Sequence, residues 1–314
     1  MISEHLETYA DLPIVRFTDE TPEGEDASGL GFPPPAEAAW HVATSHERRF
    51  ADVFRRFLST VDTTQITALL IGFWYVNPND PECLHPVELL TESAASLPRL
   101  RSLFLGEMTY QENEISWIEQ SDITPLFEAF PELERLDVRG GEDLALQPVE
   151  HEKLRVLRFE SGGLPASVVR AVGGSALPNL RHLDLWLGTE YYGGDATVAD
   201  LAPLLSGERF PALRHLGLED SDIQDDVAAA VAGAPVVARL ESLSLAMGTL
   251  TDRGAEALLA GQPLTHLSKL DLHHHYLSDA MMERVSAALP GVQVDLSDQR
   301  SFDDEEDLYP AVTE

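Results

Sequence analysis

The sequence predicts an α/β solenoid, horseshoe or arc in form, with about nine parallel strands on its concave side and helices on its convex side. Three observations carry this expectation. An apolar pattern recurs in order along most of the chain. Within each copy the last two apolar residues alternate with a variable one, the period of a strand with one buried face. Helix-start chemistry stands between the copies.

The pattern is L-x-x-L-x-L. It runs through Leu100/Leu103/Leu105, Leu133/Leu136/Val138, Leu154/Leu157/Phe159, Leu180/Leu183/Leu185, Leu213/Leu216/Leu218, Leu240/Leu243/Leu245 and Leu267/Leu270/Leu272. Degenerate copies flank these at Ile66/Leu69/Ile71 and Leu289/Val292/Val294, which makes nine. Middle positions lie 34, 33, 21, 26, 33, 27, 27 and 22 residues apart. A single strand–helix unit cannot bury its apolar edge, so successive units must stack. Pro86, Thr124-Pro125 and Pro165 mark helix starts, and Thr251-Asp252 and Ser278-Asp279 read as N-caps followed by first-turn acids.

The stretch Leu243-Ser-Leu245-Ala-Met-Gly248-Thr-Leu250-Thr-Asp252-Arg-Gly254-Ala255-Glu-Ala257-Leu258-Leu259 resembles the ribonuclease-inhibitor-like class of leucine-rich repeats. The likeness spans roughly residues 61–297. The asparagine usual after the strand in that class is absent. Gly141, Gly162, Gly188, Ser221, Gly248 and His275 take its place, so an asparagine ladder is not expected. Glu114–Asp122 and Asp271–His275 also resemble a bacterial family of leucine-rich-repeat proteins, often encoded beside radical-SAM-type and ATP-grasp-type enzymes. That likeness implies a fold and no particular activity.

Residues 1–60 read as an N-terminal capping segment, residues 61–297 as the repeat domain and residues 298–314 as an acidic disordered tail around Asp303–Asp307. Within the cap, Leu12–Phe17 and Ala39–Val42 read as strands and Thr18–Pro35 as a loop. Residues 46–58 place Phe50, Val53, Phe54, Phe57 and Leu58 on one helical face.

Composition narrows the partners. With 54 acidic and 21 basic residues the formal charge is −33. That field repels nucleic acid and anionic membrane surfaces, so neither is expected as a partner. One cysteine, Cys83, permits no internal disulfide and suits a reducing compartment. The N-terminus has no signal-peptide character and no apolar run is long enough to span a membrane. A cytoplasmic protein is expected.

The variable strand positions, which face the concave side, form columns. They contain Asp137, Glu160, Asp184, Glu219 and Asp271 against Arg135, Arg139, Arg158 and Lys269, so the acidity must sit elsewhere. Arg135, Asp137, Arg139, Arg158 and Glu160 are expected to form a mixed-charge patch. His182, Asp184, Trp186, His215, Glu219, Asp271, His273 and His274 are expected to form a second group able to bind a protein or peptide partner.

Catalytic signals are weak throughout. His273-His274-His275 with Asp271 has metal-ligand chemistry, but consecutive strand residues point to opposite sides. Cys83 and His85 lie in a proline-flanked loop with nothing to orient the base, and no nucleophile elbow is present. Tyr191-Tyr-Gly-Gly194-Asp195 lacks the lysine of a phosphate cradle, and Phe73-Trp74-Tyr75 is expected to pack beneath the N-terminal cap. The expectation is a non-catalytic interaction scaffold without cofactor or metal. An acidic inhibitor or immunity-type protein that neutralises a basic enzyme, and a metal or enzymatic site around the histidines, are the alternatives.

Overall fold

A computed structural model describes residues 2–23, 29–45, 48–75, 83–301 and 308–313. Within the stretches anticipated above, residues 24–28, 46–47, Pro81 and the run Asp303–Asp307 lie outside the described residues. The chain divides into two compact units, residues 2–145 and 146–314.

The first unit carries six strands: β1 (Thr8–Tyr9), β2 (Leu12–Phe17), β3 (Ala39–Val42), β4 (Ala68–Ile71), β5 (Ser102–Leu105) and β6 (Arg135–Arg139). β1 pairs antiparallel with β2, and β2 to β6 run parallel in sequence order. Its helices are α1 (Phe50–Thr60), α2 (Pro86–Glu92) and α3 (Pro125–Ala129).

The second unit carries β7 (Val156–Glu160), β8 (His182–Gly188), β9 (His215–Ser221), β10 (Ser242–Ser244), β11 (Lys269–Asp271) and β12 (Gln293–Asp295), again parallel. Between them run α4 (Ala166–Gly174), α5 (Val198–Ser206), α6 (Gln224–Ala232), α7 (Asp252–Ala260) and α8 (Asp279–Ala288). Among the described residues no helix is long and apolar enough to cross a membrane.

The described residues thus hold twelve strands rather than about nine. The three additional strands are β1, β2 and β3. Trp40 lies opposite Leu69, so an indole fills the place that leucine holds elsewhere, and Val15 lies opposite Trp40. The last copy also differs from its expected alignment. Leu270 pairs with Val294 and not with Val292, a shift of two residues that keeps the same face buried. Regular backbone geometry accompanies this register. Asp220, Met247, His274 and Asp298 each follow the central apolar residue by four positions, and each takes a left-handed conformation where the chain leaves the strand.

The expected helix starts are all realised. Thr251 accepts from the amide of Arg253, Ser278 from that of Met281, and Pro86, Pro125 and Ala166 open α2, α3 and α4. Thr197 and Asp200 add a capping box to α5. In the exposed loop before α5, Asp195 accepts the amide of Ala166 and so caps α4. His85 accepts the Val87 amide, while its other ring nitrogen faces the Glu119 carbonyl. Burial lowers its pKa to about 4. Both nitrogens are thus engaged in capping and packing, and Cys83 hydrogen-bonds instead to the Tyr75 carbonyl.

Among the described residues no asparagine ladder runs under the strand ends, and other side chains do its work. Gln120 donates to the Arg139 carbonyl, Gln224 to the Leu218 carbonyl, and the buried His275 pairs with the Leu296 carbonyl. Buried backbone groups need such partners.

The N-terminal segment packs against a face of the unit. Ala10 and Asp11, both at positive φ, turn the chain between β1 and β2. This lays Tyr9 on the helix-free face of the first unit. Ala68, Leu70 and Phe104 are apolar positions on that face, and they form one buried cluster with Tyr9 and Ala39, flanked by Ala10, Leu12 and Ile14. The phenol of Tyr9 donates to Asp137 at 2.8 Å. The guanidinium of Arg135 lies 4.9 Å from the Tyr9 ring centre and holds Asp137 through two hydrogen bonds. Farther upstream, Glu107 is fully buried and takes His5 at 2.9 Å, His41 at 3.0 Å and the Leu6 amide at 3.0 Å. Phe73 and Trp74 are buried, whereas Tyr75 is exposed.

The far end is also anchored. Within the segment expected as a disordered tail, Val312 is buried and its amide donates to Asp220, while the Ala311 amide donates to the Met247 carbonyl. These contacts bury an apolar side chain and give Oδ1 of the buried Asp220 an amide donor, and burial of the apolar Val312 is what a purely acidic tail could not supply.

The anchor at His5 has a pH signature. Hydrogen bonds to Glu107 and then Glu112 raise the His5 pKa from 6.5 to about 9. Its share of the stability is therefore complete below pH 6.5 and lost as the pH rises through about 9. Glu107 moves the opposite way. Burial would raise it, but its hydrogen bonds to His41 and His5 prevail and hold it below the usual carboxylate range, so its share is complete above pH 4.5 and is lost progressively as the pH falls below that value. An NMR titration of the His5 ring should give a pKa near 9, and a value near 6.5 would contradict the anchor.

Candidate functional site

The helix-free face of the second unit is built from short rows that follow the strand register. One row places His182 beside His215, Ser242 and Lys269. The next places Arg158, Asp184, Gly217, Ser244, Asp271 and Asp295 in line. Trp186 lies opposite Glu219 in the row beyond.

Asp184 is the hub. His182 Nε2 reaches one of its oxygens at 2.6 Å and His215 Nε2 the other at 2.7 Å. The two imidazoles stack with centres 4.0 Å apart and planes 12° from parallel. His215 Nδ1 lies 2.6 Å from the Ser242 hydroxyl. Burial alone would raise the pKa of Asp184, but the hydrogen bonds from His182 and His215 outweigh it and keep the carboxyl below its usual range. Gly217 makes this geometry possible, since a Cβ there would stand 2.3 Å from an Asp184 oxygen.

Glu219 lies next to this hub. Trp186 Nε1 donates to one of its oxygens at 2.8 Å and the Ser244 hydroxyl to the other. Burial, reinforced by the nearby charge of Asp184, pushes its pKa up. The Arg158 guanidinium lies 5.4 Å from the Trp186 ring centre, pairs with Glu160 at 2.9 Å and stands 3.6 Å from Asp184.

A third group forms on β11. Asp271 takes Lys269 at 2.7 Å and His273 at 2.8 Å. Burial opposes its ionisation, yet the bonds from His273 and Lys269 hold it below the usual range, while its own bond raises His273. His274 turns away to Asp298 and the Tyr309 carbonyl, and His275 turns into the interior. The three consecutive histidines therefore serve three different surroundings.

The residues expected in one mixed-charge patch are shared between the units. Arg135, Asp137 and Arg139 belong to the first, where Asp137 is fully buried and Arg139 donates to the Met108 carbonyl and lies over Phe104. Arg158 and Glu160 belong to the second. In the second group His182, Asp184, Trp186, His215, Glu219, Asp271 and His273 all lie on the helix-free face, and His274 does not share their hydrogen bonds. Sequence reasoning did not select Ser242, Ser244, Gly217 or Asp295. A glycine in a column of polar residues is the signal that would have found Gly217, and the correct register of β12 is what reveals Asp295.

The class of protein this defines is a parallel-sheet repeat protein with helices between its strands and a polar, histidine-rich sheet face. No family model and no curated protein matches the chain. The crystal structure of a Bacteroides fragilis protein, a structural genomics target, matches 84% of this chain and 73% of its own, with 32% identity and a TM-score of 0.76. The chain belongs to the family of that protein. An internalin from Listeria monocytogenes aligns over 88% of this chain and 76% of its own, at 14% identity and a TM-score of 0.37, too low to bear on this fold.

The hub makes a direct prediction. Gly217→Ala should lower stability by about 1–3 kcal/mol in urea unfolding, because the added methyl displaces a hydrogen-bonded carboxylate. In an Asp184→Ala background the same change should cost little. Additive losses in the double mutant would contradict the close approach.

Proposed function

We propose that this protein is a leucine-rich-repeat solenoid of the ribonuclease-inhibitor-like class and a non-catalytic scaffold for a protein partner, bound on the helix-free face of residues 146–314. One observation carries the reading. The equivalent face of the first unit is covered by the chain's own residues 8–14, whereas the second unit leaves His182 more than one-third exposed above the buried Asp184, and Lys269 and His273 more than one-third exposed above the partly buried Asp271.

Such a surface suits recognition. Its hydrogen-bonding groups are held on strands, so little ordering cost is added when a partner docks. Exposed cations and histidines stand over Asp184, Glu219 and Asp271, so the face is mixed in charge although the chain carries −33. A partner recognised here would show a modest salt dependence, unlike a basic enzyme captured by the overall field. The bonds among the histidines and carboxylates are those of a rigid platform.

A photo-crosslinking amino acid placed at position 182 or 269 in the native host should give a covalent partner adduct. The same group at position 256, on the exposed side of α7, should give none. Equal adducts from position 256, or none from 182 and 269, would overturn the proposal.

A further inference from the structure

We propose that His182, His215 and Asp184 form a binding site for one divalent transition-metal ion, of the zinc class. The geometry on which this rests is independent of any partner. Two imidazole Nε2 atoms, from adjacent strands, converge on the two oxygens of a single carboxylate, and the donor atoms all lie within 4.8 Å of one another. Donors bound at about 2.0–2.2 Å to one ion stand roughly 3–4 Å apart, so only a slight opening of this cluster admits the ion. Two nitrogens and one carboxylate oxygen are the mixed donor set that such ions take.

The surroundings suit a ligand cluster. Ser242 can donate to or accept from His215 Nδ1. The imidazole can therefore keep its one proton on Nδ1 and turn an Nε2 lone pair to the ion without losing that hydrogen bond. Orientation of a ligating histidine through its other nitrogen is the usual outer-shell device. Asp184 is nearly buried and held rigid over Gly217, so the carboxylate is placed before any ion arrives. Solvent reaches the cluster at His182, whose side chain is more than one-third exposed. A cleft of about 430 Å³, lined by Arg181, His182, Arg214, His215, Glu241 and Ser242, opens beside the two rings. Three protein donors and an open side leave coordination positions for water or for a partner's side chain. Arg158 is the opposing charge, 3.6 Å from Asp184, and its pairing with Glu160 offsets it.

The other histidine clusters fit less well. His5, His41 and Glu107 lock the N-terminal segment around a fully buried carboxylate. In the set of Asp271, His273 and Asp295, Asp271 already holds the Lys269 ammonium at 2.7 Å, a cation in the place of the ion.

The test is titration of the untagged full chain with Zn2+ against a chromophoric chelator. Wild type should bind one ion per chain. His182→Ala and His215→Ala should each weaken binding at least about 100-fold, and Ser242→Ala about tenfold, as loss of an outer-shell partner does. His182 is a surface residue, so its variant tests the site even if His215→Ala unfolds. The double variant Asp271→Asn/His273→Ala should bind as wild type does. Absence of binding by wild type, unchanged affinity in His182→Ala, or loss of binding only in the Asp271/His273 variant would each overturn the proposal. None of these results depends on finding a partner, so the metal site and the scaffold reading stand or fall separately.

Discussion

Every other feature of this chain depends on the in-register stacking of its central leucines. In the second unit Leu157, Leu183, Leu216, Leu243 and Leu270 occupy matching places on neighbouring strands and are almost wholly removed from water. Burying each side chain contributes about 1.5–3 kcal/mol. A slip of one residue would turn this row to solvent and the polar row into the core. The same constraint therefore fixes the opposite face. Once Leu183 and Leu216 are inside, His182, Asp184, His215 and Gly217 must be outside and side by side.

What each unit does with that outward face follows from residue type. In the first unit the face is Ala68, Leu70 and Phe104, which water disfavours, and the chain returns its own Tyr9 to cover them. Closure needs a polar fastening as well. Tyr9 supplies it at Asp137, and His5 with Leu6 supplies it at Glu107. In the second unit the corresponding positions carry charged, imidazole or hydroxyl groups, with Gly217 among them. They satisfy one another across strands, so the surface can remain open without exposing an apolar patch.

The repeat strands and helix starts were legible in the sequence because both have short-range signatures: alternation within a strand, and Pro, Thr or Ser at a helix start. β2 and β3 were legible as strands but not as members of the same parallel array, because Trp40 stands where the pattern expects leucine. The register of β12 was missed because Val292 satisfies the pattern as well as Val294, and Asp295 was lost with it. The cover over the first face was not legible, since Tyr9 and Asp137 are 128 residues apart and no local pattern links them. Within the candidate site the charged and aromatic residues could be chosen from columns. Gly217, Ser242 and Ser244 matter through contacts that only the packed strands reveal.

Amide hydrogen exchange of the intact chain at neutral pH tests the central claim, a closed first face and an open second one. Residues 8–17 should exchange as slowly as β3 and β4, because β1 and β2 are then part of the folded unit. Exchange there at the rate of an unstructured peptide, with β3 and β4 protected, would contradict the account.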